Sequence, residues 1–236
     1  MIEAELHHKI EQSEDILTSS VFGMLKYDFM KDALIEFLGK AKHYFVNDLS
    51  FDDEIREHDI LKGNTIILFW KFFTVYQSVP DLIIKGDNFA IIVEVKDKSE
   101  LSGDDQLIKY YQVIENDYKD KNFKYLIYLT RSIGIPELPI ETIDALRDKN
   151  FYWLSWYELY QILKNNSERS CVYEVCEDLK KLLECRCLVL FEGFGDCPKI
   201  DFGDSQIFWK EDMLIFSDYS NVNIKNPIFW QGGKNE

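Results

Sequence analysis

Three side chains, Asp81, Glu94 and Lys96, have the types and spacing to do chemistry together. Two carboxylates offer hard oxygen donors to a divalent cation, and an ammonium beside them can hold a water and balance negative charge. Whether they meet depends on strand geometry. Ile91-Ile92-Val93-Glu94-Val95-Lys96 is apolar and β-branched, the pattern of a buried strand. Side chains alternate along a strand, so Ile92, Glu94 and Lys96 share one face while Ile91, Val93 and Val95 share the other. An ionised Glu and Lys among apolar neighbours are costly unless paired, hydrogen-bonded or bound to metal. The alternative is a solvated pair on a surface strand, against which the apolar flanks argue.

A hairpin brings in the second acid. Leu82-Ile83-Ile84 precedes Gly86-Asp87-Asn88, a good turn sequence, and the next apolar run follows at once. With Asp87 and Asn88 as the two turn residues, Asp81 lies opposite Glu94 on one sheet face. Paired like charges repel unless a cation lies between them, and the simplest such cation is Mg²⁺. A turn one residue longer would break the pairing. The helix expected over residues 105–118 then places Gln106 and Tyr110 four apart on one face, able to look back at the strand.

Pro80-Asp81 followed by Glu94-Val95-Lys96 resembles the signature of the PD-(D/E)XK nuclease superfamily, and Gln106 with Tyr110 matches the QxxxY extension of some of its branches. The resemblance covers roughly the first two thirds of the chain. It implies an α/β, restriction-endonuclease-like αβββαβ core with a mixed sheet flanked by helices, over residues 1–165. Residues 166–236 would form an extension of one helix and a small β appendage. It also implies Mg²⁺ or Mn²⁺ held by Asp81 and Glu94 with the Val95 carbonyl, an upstream acid for which Glu14 is the candidate, and Lys96 handling the attacking water. Gln106 and Tyr110 would orient that water or contact phosphate. The implied activity is phosphodiester hydrolysis of nucleic acid, DNA before RNA. A nuclease-like scaffold that binds a protein or nucleic acid without cutting is the alternative.

The elements around these residues follow from hydrophobic period. Residues 3–22 predict a helix with Leu6, Ile10, Leu17 and Val21 in one stripe, Glu14 on its flank and Gly23 ending or bending it. On that flank Glu14 also reads as an ordinary solvated helix carboxylate. A second helix is expected over residues 31–46, and a loop or early strand over residues 52–58. Strands are expected at residues 65–70, 124–130 and 151–154, and helices at 140–149 and 156–163. Ser102-Gly103-Asp104 offers capping for the helix bearing Gln106. Residues 171–190 predict a helix with Val175, Leu179, Leu182 and Leu183 inward, and the aromatic segments at Trp209 and Trp230 suggest strands.

Composition bounds the partners. A formal net charge of −15, from 42 acidic and 27 basic residues, opposes tight unaided binding to phosphate. Either part of the acid serves as metal ligands, with Lys96, Lys98, Lys109 and Lys124 lining a groove, or the chain works with a protein partner. A homodimer is left open. No run of about 18 uncharged apolar residues appears, so no membrane span is expected. The acidic start implies a cytoplasmic chain. Five cysteines, all after residue 170, then read as reduced thiols, since their spacing is not that of paired zinc knuckles. His7, His8, His43 and His58 show no ligand spacing.

Overall fold

The computed structural model of the chain describes residues 13–97, 105–166 and 172–189. The chain divides into two compact units, Met1–Leu190 and Phe191–Glu236, and only the first contains described residues. Leu6, Ile10, Lys98, the Ser102-Gly103-Asp104 cap, Cys171, Cys197 and the segments around Trp209 and Trp230 lie outside them.

In order, the elements are α1 (Glu14–Leu25), a 3-10 turn (Asp28–Met30), α2 (Lys31–Gly39), β1 (Lys42–His43), α3 (Phe51–His58), β2 (Ile66–Phe69), β3 (Leu82–Lys85) and β4 (Phe89–Lys96). There follow α4 (Gln106–Asp117), β5 (Phe123–Thr130), α5 (Ile140–Leu146), β6 (Phe151–Ser155), α6 (Tyr157–Asn166) and α7 (Tyr173–Cys185). The strands form one mixed six-stranded sheet in the order β1-β6-β5-β4-β3-β2. β4, β5 and β6 run parallel to their neighbours among themselves, and β1, β2 and β3 pair antiparallel. The fold is therefore α/β, with helices on both faces.

Each face has its own core. On one, Ile84, Ile91, Val93, Val95, Ile127 and Leu129 of the sheet pack with the apolar stripes of α1, α2, α6 and α7. On the other, Ile83, Ala90, Ile92, Leu126 and Tyr128 pack with Leu107, Tyr110, Val113 and Ile114 of α4 and Leu146 of α5. Every residue of β4 is buried, which is why that strand reads as an almost unbroken apolar run. α7 contributes Leu179, Leu182 and Leu183 to the first core, so the compact unit continues through this helix beyond the expected boundary at residue 165.

Several expected elements change type or limits. The first helix among the described residues starts at Glu14, where Ser13 is extended and its side chain accepts the Ile16 N–H at 3.2 Å; residues 3–12 of the expected helix lie outside the described residues. It passes through Gly23 to Leu25, since burial of Val21, Phe22 and Leu25 outweighs a glycine cost of about 1 kcal/mol. α2 stops at Gly39, well short of Val46. A Cβ at Gly39 would lie 3.3 Å from the Asp52 Cβ, so the glycine lets α3 approach, and the chain turns into the edge strand β1. Residues 51–58 form a helix, not a loop or strand: the Asp53 carboxylate accepts from the Ser50 N–H and Oγ at 3.1 and 2.8 Å. Asp52, Asp53 and Glu54 in its first turn and Arg56 and His58 in its last suit the helix dipole.

The β3–β4 turn is closed by the Gly86 N–H donating to the Phe89 carbonyl at 3.1 Å, with Asp87 and Asn88 between them. A Cβ on Gly86 would meet the buried Phe89 ring at 2.4 Å. Gly86→Ala is therefore expected to cost about 1–3 kcal/mol in urea unfolding by displacing that ring. A midpoint equal to that of the unsubstituted chain would show that the ring does not pack on the turn.

Candidate active site

The hairpin register runs Leu82↔Val93, Ile83↔Ile92, Ile84↔Ile91 and Lys85↔Ala90, and one step further sets Asp81 opposite Glu94. Alternation puts both acids and Lys96 on the sheet face covered by α4, with Ile83 and Ile92. Asp81 is 9% exposed and Glu94 2%, so both are withdrawn from water. The Val95 N–H donates to Asp81 Oδ2 at 2.8 Å, while the Val95 side chain packs into the opposite core. Glu94 Oε1 meets Lys96 Nζ at 2.7 Å and accepts from Gln106 Nε2 at 2.8 Å. Glu94 Oε2 is buried without a donor, while the Glu94 and Asp81 carboxyls hydrogen-bond to one another.

Gln106 and Tyr110 do converge on the strand, one helical turn apart on α4. Gln106 Nε2 also donates to the Tyr110 hydroxyl at 2.9 Å, and that hydroxyl donates to the Val79 carbonyl at 3.1 Å. These bonds tie α4 to Glu94 on one side and to the Pro80-Asp81 arm on the other. Glu14, the first residue of α1, reaches the same place from the other helical layer. Its Oε1 stands 3.3 Å from Lys96 Nζ, and its Oε2 accepts the Asp97 N–H at 2.7 Å. Lys96 therefore bridges two carboxylates, Glu94 and Glu14.

Behind the site lies a charge cluster that the sequence reading did not single out. Arg131 Nε donates to Asp97 Oδ1 at 2.7 Å, and Arg186 Nη1 stands 3.4 Å from Asp97 Oδ2. Arg131 Nη2 donates to the Arg186 carbonyl at 2.7 Å, and Arg186 Nη2 donates to the Ser13 carbonyl at 2.8 Å. Arg186, just past α7 and 2% exposed, thus joins the end of β4 to the residue that caps α1, next to Glu14. Asp97 follows Lys96 directly, but its partners lie 34 and 89 residues away, which leaves no local signal.

Burial dominates the electrostatics. It pushes Glu94 up to about 8, with repulsion from Asp81 adding to it and Lys96 opposing. Asp81 is also raised by burial, against the Val95 N–H and Lys96. For Lys96, burial pulls downward, but Glu94, Glu14 and Asp81 outweigh it and hold the ammonium above its ordinary value. The site is thus a buried acid pair facing a stable cation. Among the described residues, no group of three or more His, Cys, Asp or Glu is arranged to hold a metal ion. Two carboxylates with one orphaned oxygen still fit Mg²⁺, which commonly binds one or two carboxylates and completes its shell with water and phosphate.

Other candidate residues are engaged elsewhere. Lys109 pairs with Asp105 at 2.7 Å and Lys124 with Glu115 at 3.2 Å, so both are neutralised locally. His43 Nδ1 accepts the N–H groups of Phe45 and Val46, and His58 stacks on Phe123. No helix among the described residues is long and apolar enough to cross a membrane.

No protein-family model and no curated protein matches the sequence. The chain is similar to a solved N-terminal domain of a reptarenavirus L protein, at 13% identity over 72% of this chain and 93% of that one. The TM-score is 0.18, too low a likeness to build on.

Two outcomes are expected. Glu94 is raised on folding, so the folded chain holds a proton that the unfolded chain releases above 4.5; its contribution is full below 4.5 and is lost as pH rises through about 8. Glu94→Gln should therefore gain about 1–3 kcal/mol over the unsubstituted metal-free chain at alkaline pH and nothing near pH 4.5, read by urea unfolding across pH. A pH-independent difference would place the proton elsewhere. Arg186→Met should lose about 1–3 kcal/mol in urea unfolding by leaving the Ser13 carbonyl without its donor and Asp97 with Arg131 alone; a neutral result would make the cluster incidental.

Proposed function

We propose that the chain is a divalent-metal-dependent phosphodiesterase of nucleic acid, DNA before RNA, of the PD-(D/E)XK nuclease kind. One observation carries this reading: buried Asp81 and Glu94 lie across one hairpin, Lys96 shares their face, and one Glu94 oxygen lacks a donor. The element order supports it, with α1, strands β2 to β4, α4 and β5 in the αβββαβ sequence and α2, β1 and α3 inserted between α1 and β2.

Asp81 and Glu94 would hold Mg²⁺ or Mn²⁺, with the Val95 carbonyl and Glu14 as further donors. Bound there, the ion supplies charge for the scissile phosphate and lowers the pKa of a water. The chain's own groups do the rest. Lys96, held above its ordinary value by Glu94, Glu14 and Asp81, would orient a water and stabilise negative charge on phosphate oxygens. Gln106 fixes the Glu94 carboxylate through Oε1, leaving Oε2 as the donor. Tyr110 holds the arm that carries Asp81. Both would act at least by positioning the two acids.

A second reading, a nuclease-like scaffold that binds a protein or nucleic acid without cutting, is favoured by the net charge of −15 and by the Lys96 ammonium already lying between Glu94 and Glu14. Manganese separates the two. The enzyme should melt higher with Mn²⁺ and cleave labelled DNA. Asp81→Ala, Glu94→Gln and Lys96→Ala should each lose about 10²–10⁴-fold in cleavage while keeping the circular dichroism of the unsubstituted chain. Indifference to Mn²⁺ in both melting and cleavage supports the scaffold, and undiminished cleavage by Lys96→Ala removes the role given to the ammonium.

A further inference from the structure

The segment joining β2 to β3, residues 70–81, keeps apolar side chains in water on a backbone that is tied down. Trp70 is 40% exposed, Phe72 52%, Val75 85% and Val79 40%, whereas Phe73 between them is buried. Phe73 and Ser78 exchange backbone hydrogen bonds at 2.9 and 3.3 Å. The Gln77 side chain donates to the Thr74 carbonyl at 2.6 Å, and Asn116 of α4 donates to the Tyr76 hydroxyl at 2.8 Å. Trp70 and Gln77 both sit at φ 48°, a left-handed conformation that costs a non-glycine residue about 1–3 kcal/mol and persists where surroundings enforce it. A slack loop would fold its rings inward. This one holds them out.

We propose that the loop is a stacking platform for an unpaired nucleic-acid strand, on which Trp70 and Phe72 take base faces and lead the backbone toward Asp81 and Glu94. The inference names the substrate class for the site above and rests on the phosphodiesterase reading for what happens at the acids. Position is the first argument. The Trp70 N–H donates to the Asp81 carbonyl at 3.2 Å, so the ring is carried by the residue paired with the proposed metal ligand, one strand spacing of about 4.8 Å away. Charge is the second. A chain at −15 repels phosphate on paired and unpaired strands alike, so a strand held here needs a contribution besides phosphate contact, and stacking of bases on exposed aromatic rings supplies one. A duplex hides its base faces; an unpaired strand offers them. Lys71 supplies one local cation, its Nζ 4.7 Å from the Phe73 ring centre and 5.4 Å from that of Tyr118.

The test is fluorescence anisotropy of the full chain with end-labelled oligothymidylate, oligouridylate and a DNA duplex of equal length, in EDTA so that binding is read without cutting. Both unpaired strands should bind about tenfold or more tighter than the duplex, with a log–log salt slope shallower than about −2. Trp70→Ala and Phe72→Ala should each weaken oligothymidylate binding by roughly 5–100-fold, and Trp70→Phe should restore most of it. Thermal melting of each variant guards against misfolding, and Phe72, the more exposed ring, provides the second probe. Equal binding by both alanine variants, a preference for duplex, a steep salt slope, or no binding by either oligonucleotide overturns the platform. That last result points the exposed rings toward a protein partner. Failure of cleavage with platform binding intact would thus count against the metal chemistry alone, whereas Mn²⁺-dependent cutting of duplex with no effect at Trp70 and Phe72 would count against the platform alone.

Discussion

The structure turns on a carboxylate that should not be where it is. Glu94 sits in the middle of a fully buried strand, 2% exposed, opposite a second buried acid. Isolated, such a pair would be strongly destabilising. It is tolerated because Lys96, two residues on, turns its ammonium to Glu94 Oε1, and Gln106 donates to the same oxygen from α4. Those contacts satisfy one oxygen only. With Glu94 raised to about 8 by burial and by Asp81, the two carboxyls share a proton beside the Lys96 ammonium.

The surrounding elements hold that arrangement from three directions. α4 reaches it through Gln106 and Tyr110, the latter also gripping the Val79 carbonyl and so the arm of Asp81. α1 brings Glu14 to Lys96 from the opposite layer, and its capping residue Ser13 is fixed by Arg186 from α7. The Asp97–Arg131–Arg186 cluster thereby connects the end of β4, the end of β5 and the last described helix. Such a network is weak evidence for net stability, since desolvation offsets attraction. Its consequence here is geometric: it sets where Glu14 stands relative to Lys96.

The acidic surface and the site impose opposite demands on a phosphate-bearing ligand. Lys109 and Lys124 stand in ion pairs with Asp105 and Glu115, which offset their charge locally. The pinned loop before Asp81 presents Trp70 and Phe72 to solvent. The same loop is joined to α4 by Asn116 and by Tyr110, so the rings and the acids belong to one hydrogen-bonded assembly.

What could be read from the sequence was whatever is written in short periods. Alternation along residues 91–96 put Glu94 and Lys96 on one face, the two-residue turn at Asp87-Asn88 set the register that opposes Asp81 to Glu94, and helical spacing paired Gln106 with Tyr110. The capping box at Ser50 and Asp53 is equally local, but the acidic run around it masks the helical period of residues 51–58. Tertiary packing alone decided the rest. α2 gave way to an edge strand because β6 offered a partner and α3 needed room at Gly39, and a buried stripe carried α1 through Gly23. The bridging of Glu14 and Glu94 by one ammonium, and the clasp of Arg186 on Asp97, join residues 82 and 89 positions apart. Periodicity reports which face a side chain takes, and only the closed fold decides which distant charge it meets there.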